Sequence, residues 1–284
     1  MKKQNLICLI AILMCICLLL GYQALDNIRT DTKKPEINIS EELPAVSILD
    51  STDAFMQGIS VWDETDGDVT DSLVVESMTL VDEGGTVSVT YAAFDRSGNV
   101  AKATRNIQLT DYVSPRFSLS QSLAFTSGRE YDLFSIISAR DTLDGNISHR
   151  VRATSMDDTA LTAAGIHNVE FRVTNSLGDT ARLVLPIEVY APNTYDATVV
   201  LSDYLVYLDK DATFSANRYL EEFVRGSETV SLASGVPSGF SLQLTGSVDT
   251  HTPGVYPISY RVTQTLENSR SYTGYARLIV VVEG

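Results

Sequence analysis

Apolar and polar residues alternate through Thr86-Val-Ser-Val-Thr-Tyr-Ala-Ala-Phe94, the period-two pattern of a half-buried strand. Asp95-Arg-Ser-Gly-Asn99 then supplies turn residues, with Gly98 free to take positive φ. The chain returns as a second strand from Val100 to Leu109, so this stretch predicts a β-hairpin. The same pattern comes back at Gly165 to Val173, a turn over Thr174 to Asp179, and Ala181 to Val189. It comes back again at Gly254 to Val262, before a last predicted strand from Tyr275 to Val282. No amphipathic helical period is evident after residue 26. Short strands with turn signals every 8–12 residues or so predict an all-β chain of sandwiches.

A second repeat fixes the module length. Trp62-Asp-Glu-Thr-Asp-Gly-Asp-Val-Thr-Asp-Ser-Leu73 recurs, altered, in Ala139 to Val151, and both copies fit D-x-x-D-G-[D/N]-[V/I]-[S/T]. Asp63, Asp66, Gly67 and Asp68 correspond to Asp141, Asp144, Gly145 and Asn146, each 78 residues later. Gly98 and Gly178, and Tyr91 and Phe171, are 80 residues apart, so a loop between motif and hairpin gained two residues. The third copy keeps the hairpin but has Arg218 to Ser227 where the motif belongs.

The first residues are of another kind. Lys2 and Lys3 precede an uncharged run from Leu6 to Tyr22. As a helix this run is roughly 25 Å long, slightly under a bilayer core of about 30 Å. The lysines place its start in the cytoplasm by the positive-inside rule. Bulky residues around the candidate cleavage positions (Tyr22 before Ala24) favour an uncleaved transmembrane signal anchor over a cleaved signal peptide. The predicted organisation is an anchor at 1–25, a linker at 26–35, and three β-sandwiches at 36–111, 112–191 and 192–284, the third divergent. All C-terminal domains then lie outside the cell, attached through the N-terminus, because no sorting signal follows Val282.

Composition narrows the chemistry. All three cysteines lie inside the hydrophobic run, at 8, 15 and 17, so the exported part forms no disulfide. The formal net charge is −15, and setting aside Lys2 and Lys3 lowers it by two to −17. Such a surface is unsuited to nucleic acid or anionic lipid. No G-x-S-x-G or H-E-x-x-H occurs, and His149, His167 and His251 lack metal-ligand spacing. The acids repeat with the module, which a catalytic site does not need, so no enzyme is expected.

The sequence D-x-x-D-G-[D/N]-[V/I]-[S/T] followed by Y-x-A-x-D-x-S-G-N-x-A resembles bacterial immunoglobulin-like domains found in tandem on surface proteins, including those similar to a module of some pesticidal crystal proteins. The likeness covers 36–111 well, 112–191 less so and the remainder weakly. It implies that the three sandwiches are seven-stranded and immunoglobulin-like or cadherin-like, with a surface location and no catalytic activity. It is consistent with a membrane-anchored stalk presenting a domain for adhesion to an unknown surface protein or glycan. The alternative is a secreted glycan-binding protein with a cleaved leader.

In such a sandwich the strand ending near Trp62 and the hairpin turn at 95–99 emerge at one end, where the chain also enters. Asp63, Asp66, Asp68, Asp95 and Asn99 are therefore expected to converge. Their counterparts are Asp141, Asp144, Asn146, Asn175 and Asp179. Two readings stand open: plain turns built by Asp, Asn and Gly, or weak sites for Ca²⁺, which takes six to eight oxygen ligands. No other cofactor is implied. Eight of the 13 tyrosines fall after residue 191. Tyr256 and Tyr260 share a face expected to be core, while Tyr272 and Tyr275 are candidates for binding.

Overall fold

A computed structural model describes residues 12–22, 31–40, 45–82, 84–154 and 163–284. Residues 12–22 are helical. Among the described residues no helix is long and apolar enough to cross a membrane. The rest of the predicted anchor, residues 1–11 and 23–25, lies outside the described residues, as do positions 26–30 of the linker. The chain divides into two compact units, 1–112 and 113–284.

In the first unit, strands β1 (Glu36–Ile39), β2 (Ile59–Asp63) and β3 (Gly67–Asp68) form one antiparallel sheet. Strands β4 (Val74–Leu80), β5 (Thr86–Phe94) and β6 (Val100–Gln108) form the other. The alternation in β5 buries Val87, Val89 and Tyr91 completely. Tyr91 is also polar at its tip. Its hydroxyl donates to the carbonyl of Phe55 at 2.6 Å, and Arg105 Nε donates to the same hydroxyl at 3.0 Å. Phe55 lies on a five-residue helix, Thr52–Met56, that period-based reading misses because it is barely one turn long. A parallel bridge joins Val46 to Leu109.

The second unit begins with β7 (Arg116–Leu119), β8 (Ala124–Thr126), β9 (Ile137–Asp141), β10 (Gly145–Asn146), β11 (Arg152–Thr154), β12 (Gly165–Thr174) and β13 (Thr180–Tyr190). These make sheets ordered β10-β9-β7 and β11-β12-β13-β8. Phe125 in β8 pairs in parallel with Val189 in β13, the extended counterpart of the Val46–Leu109 bridge.

The remaining strands are β14 (Ala197–Leu201), β15 (Leu205–Leu208), β16 (Leu220–Arg225), β17 (Glu228–Ser231), β18 (Phe240–Thr245), β19 (Gly254–Thr265) and β20 (Ser271–Val282). They share one hydrogen-bonded sheet, β17-β16-β14-β20-β19-β18, with β15 also on β20. Strand β20 has an almost unbroken apolar run because both its faces are covered. Leu278 and Val280 enter the core formed with Tyr260 and Phe223, while Ile279 and Leu205 join the core of β7–β13 around Phe171. The position 191/192, expected to separate two sandwiches, thus falls inside one compact unit with a shared core.

Candidate functional site

In the first unit, β2 ends at Asp63 and the tight turn to β3 carries Asp66. The turn needs Gly67, whose φ of +75° suits a residue without Cβ, as does Gly145 at +68° in the second copy. The β5–β6 turn brings Asp95 to the same end. Asp31, in the segment before β1, arrives there as well. One carboxylate oxygen from each of Asp31, Asp63, Asp66 and Asp95 lies within 4.8 Å of the others. Three of these acids were singled out by sequence; Asp31 was not, because it lies in the polar segment read as a linker, outside the D-x-x-D-G and hairpin motifs.

The bonding at these acids is uneven. Asp63 is only 1 % exposed. Its Oδ1 accepts the amides of Thr65 and Asp66 at 2.8 and 2.9 Å, while its Oδ2 is buried without a partner. Asp66 Oδ2 accepts the Arg96 amide at 2.8 Å. The Asp95 carboxyl lies below its usual range: burial pushes it up, but the Asn99 side chain and amide and the amides of Ser97 and Gly98 outweigh burial. Asn99 also donates to the Asp31 carbonyl at 3.0 Å, which pins the entering segment to the turn. Asp31 Oδ2 is a second buried oxygen without a partner.

Asp68 stands apart from this group. It is exposed and caps the Thr70 amide at 3.0 Å, and Asn146 does the same for Ser148 at 3.0 Å. Both fulfil the turn reading.

The second copy has the same backbone but different electrostatics. Asp141 Oδ1 accepts the amides of Leu143 and Asp144, as Asp63 does for its own neighbours. Here, however, Asp141 Oδ2 accepts the Asn175 side-chain amide at 3.0 Å. Asp144 accepts the amide and hydroxyl of Ser176 at 2.8 and 2.6 Å, and pairs with Arg150. Asp179 lies one turn further on and donates its amide to Asn175 Oδ1 at 2.9 Å. Around Asp141, Asp144 and Asp179 the Asn175 side-chain amide and the Arg150 guanidinium stand among the carboxylates.

A cavity of about 240 Å³ opens in the second unit, lined by Tyr131, Tyr190, Tyr195, Tyr204 and Tyr275 with Ser122 at its wall. Tyr195 stacks on Tyr275 at 4.7 Å between centroids and meets Tyr190 edge-on at 4.8 Å. The Arg261 guanidinium lies 5.9 Å from the Tyr195 ring. Tyr275 is half-buried rather than exposed, its hydroxyl bonded to Glu188 and Ser259. Burial, and then the Glu188 bond, raises its pKa. Tyr272 is elsewhere, between the guanidinium groups of Arg225 and Arg270 at 4.1 and 5.0 Å. Counting tyrosines indicated this part of the chain but not Tyr131 or Tyr190, which precede residue 192.

No family model matches the chain. It is 27 % identical over 149 residues to an uncharacterized 81.3 kDa protein of Acholeplasma phage L2, a match covering 51 % of this chain and 19 % of that protein. Among solved structures it is similar to CBM51-2 in complex with GlcNAc and INT domains from Clostridium perfringens ZmpB, at 20 % identity and TM-score 0.22, covering 60 % of this chain and 32 % of that one. It is likewise similar to the protocadherin GammaB4 extracellular domain, at 12 % identity and TM-score 0.21, covering 88 % and 44 %. TM-scores this low establish neither a shared whole-chain fold nor a shared function.

Proposed function

We propose that this chain is a non-catalytic surface protein, a stalk of immunoglobulin-like β-sandwiches that is held to a membrane by its N-terminal segment and binds glycan through residues 113–284. The resemblance to bacterial tandem surface modules and the acidic exported part support a place outside the cell. The observation that carries the binding reading is the tyrosine-lined cavity. Tyrosine faces stack against the apolar faces of sugar rings, and phenol and serine hydroxyls offer hydrogen bonds at the rim. Tyr195 is the key residue, since its ring is held in place by Tyr190 and Tyr275.

A glycan array probed with the labelled full-length chain tests the reading. Binding should appear above background and fall at least tenfold with Tyr195→Ala. Array-wide silence, or binding indifferent to Tyr195, would remove the glycan assignment. Protease treatment of intact cells should digest everything after residue 35. N-terminal sequencing separates the tethered form from a secreted one, which would start near Leu25.

A further inference from the structure

The acidic end of the first module is not used by the glycan reading. We infer that Asp31, Asp63, Asp66 and Asp95 form a site for one divalent cation of the size and oxygen preference of Ca²⁺, specific to the first module. Three observations converge on it. The four ligand oxygens lie within 4.8 Å of one another. Calcium–oxygen bonds of roughly 2.3–2.6 Å put oxygens on opposite sides of the ion about 4.6–5.2 Å apart, so the spread fits a common centre. The shorter bonds of Mg²⁺, about 2.0–2.1 Å, suit it less well.

The second observation is Asp63 Oδ2, buried in a residue 1 % exposed and lacking a hydrogen bond. A buried carboxylate oxygen without a partner is costly, and a cation removes that cost. The third is the comparison within the chain. At the matching place Asn175 donates to Asp141, and Arg150 pairs with Asp144. The first module has Asp95 in place of Asn175 and Ser72 in place of Arg150. Among the described residues, no lysine or arginine side chain is ion-paired with any of its four acids. What the second module supplies from its own residues, the first leaves to an ion.

Asp31 adds a consequence. It precedes β1, so the ion would tie the entering segment to both loops, alongside the Asn99 bond to the Asp31 carbonyl. The counterpart 80 residues later is Asp111, whose carboxylate is committed to Ser47 and Ile48. Asp111 is thus engaged within its own unit, whereas Asp31 Oδ2 has no hydrogen-bond partner.

The lone tryptophan, Trp62, precedes Asp63 and its ring edge lies over the Gly67 turn, so it can sensitise Tb³⁺ luminescence at the site. Titrating the full-length chain with Tb³⁺ should give saturable emission under tryptophan excitation, displaced by millimolar Ca²⁺. Calorimetry with Ca²⁺ should count one ion per chain. Asp63→Asn and Asp31→Asn should each weaken binding at least tenfold, while the exposed Asp68→Asn should not. Asp31 lies outside the sandwich, so its variant reports even if Asp63→Asn fails to fold. No emission, emission that Ca²⁺ does not displace, or equal affinity in Asp31→Asn and Asp68→Asn would overturn the site.

Discussion

Asn175 donates its side-chain amide to the buried carboxylate of Asp141 across 3.0 Å, whereas its counterpart Asp95 has no proton to offer Asp63. Exchanging the two residues of the first turn, Asp95→Asn with Asn99→Asp, copies the second module without altering net charge. Asn at 95 can satisfy Asp63 Oδ2, and Asp at 99 matches Asp179. In chelator, this swap should stabilise the first module by about 1–3 kcal/mol, the usual cost of a buried unpaired polar group. In a module this small that is several degrees or more of melting temperature. The upward shift produced by millimolar Ca²⁺ in the wild type should shrink. Differential scanning calorimetry in the two buffers reads both effects.

Arg150 is the second module's internal counter-ion for Asp144, and Arg150→Ser installs the residue that the first module has at this place. The pair is partly open to solvent, with 39 % of the arginine side chain exposed, so the loss should be modest, about 1 kcal/mol. Asp144 keeps its bonds from Ser176. The destabilisation should be the same in chelator and in Ca²⁺, and smaller at high salt. A chelator-dependent effect on the second unit would mean that an ion enters once the guanidinium is gone, and that the Asn175 amide alone does not keep it out.

The strand pairs and their turns were legible because period-two alternation is local: β5, β6, β12, β13 and β19 lie within a residue or three of the expected spans. The convergence of Asp63, Asp66 and Asp95 was legible too, since strand direction alone decides which loops share an end. Three things were not. Asp31 sits in a polar segment read as a linker, where its match to Asp111 is a lone aspartate four residues before a proline. The partners that divide the two copies, Asn175 and Arg150, differ from Asp95 and Ser72 in side-chain chemistry that motif matching treats as equivalent. Finally, β20 reads as one more strand, and nothing in its pattern says that Ile279 packs into the core around Phe171.

Asp111 accepts the Ser47 hydroxyl at 2.7 Å and the Ile48 amide at 2.8 Å, closing the first module on the residues just after its entry. The Ser47 bond, then the Ile48 amide, hold its carboxyl below the ordinary 3.8. The folded state therefore binds the proton less tightly than the unfolded chain. The stabilisation is complete above the unfolded value and is lost as pH falls through the lower folded one. Unfolding midpoints measured from pH 6 down to about pH 2 should thus fall more steeply in wild type than in Asp111→Asn. Parallel curves would show that the Asp111 bonds contribute no linkage.

Tyr91 and Arg105 are both buried and both bonded around the Phe55 carbonyl, which accepts Tyr91 at 2.6 Å and Arg105 Nη2 at 2.7 Å. The matching residues 80 positions later are Phe171 and Leu185, an apolar pair in the same core position. Tyr91→Phe removes the oxygen that Arg105 Nε uses, in a group whose Nη1 already lacks a partner. The cost of stranding buried donors exceeds the net value of the bonds themselves. The single variant should lose roughly 1–3 kcal/mol. Replacing both, Tyr91→Phe with Arg105→Leu, takes away the stranded guanidinium but leaves the Phe55 carbonyl without either side-chain donor, so part of the cost remains. The double variant should therefore lose less than the sum of the two single losses. A double-mutant cycle from urea unfolding measures this directly, and strictly additive losses would mean that the tyrosine and arginine act independently.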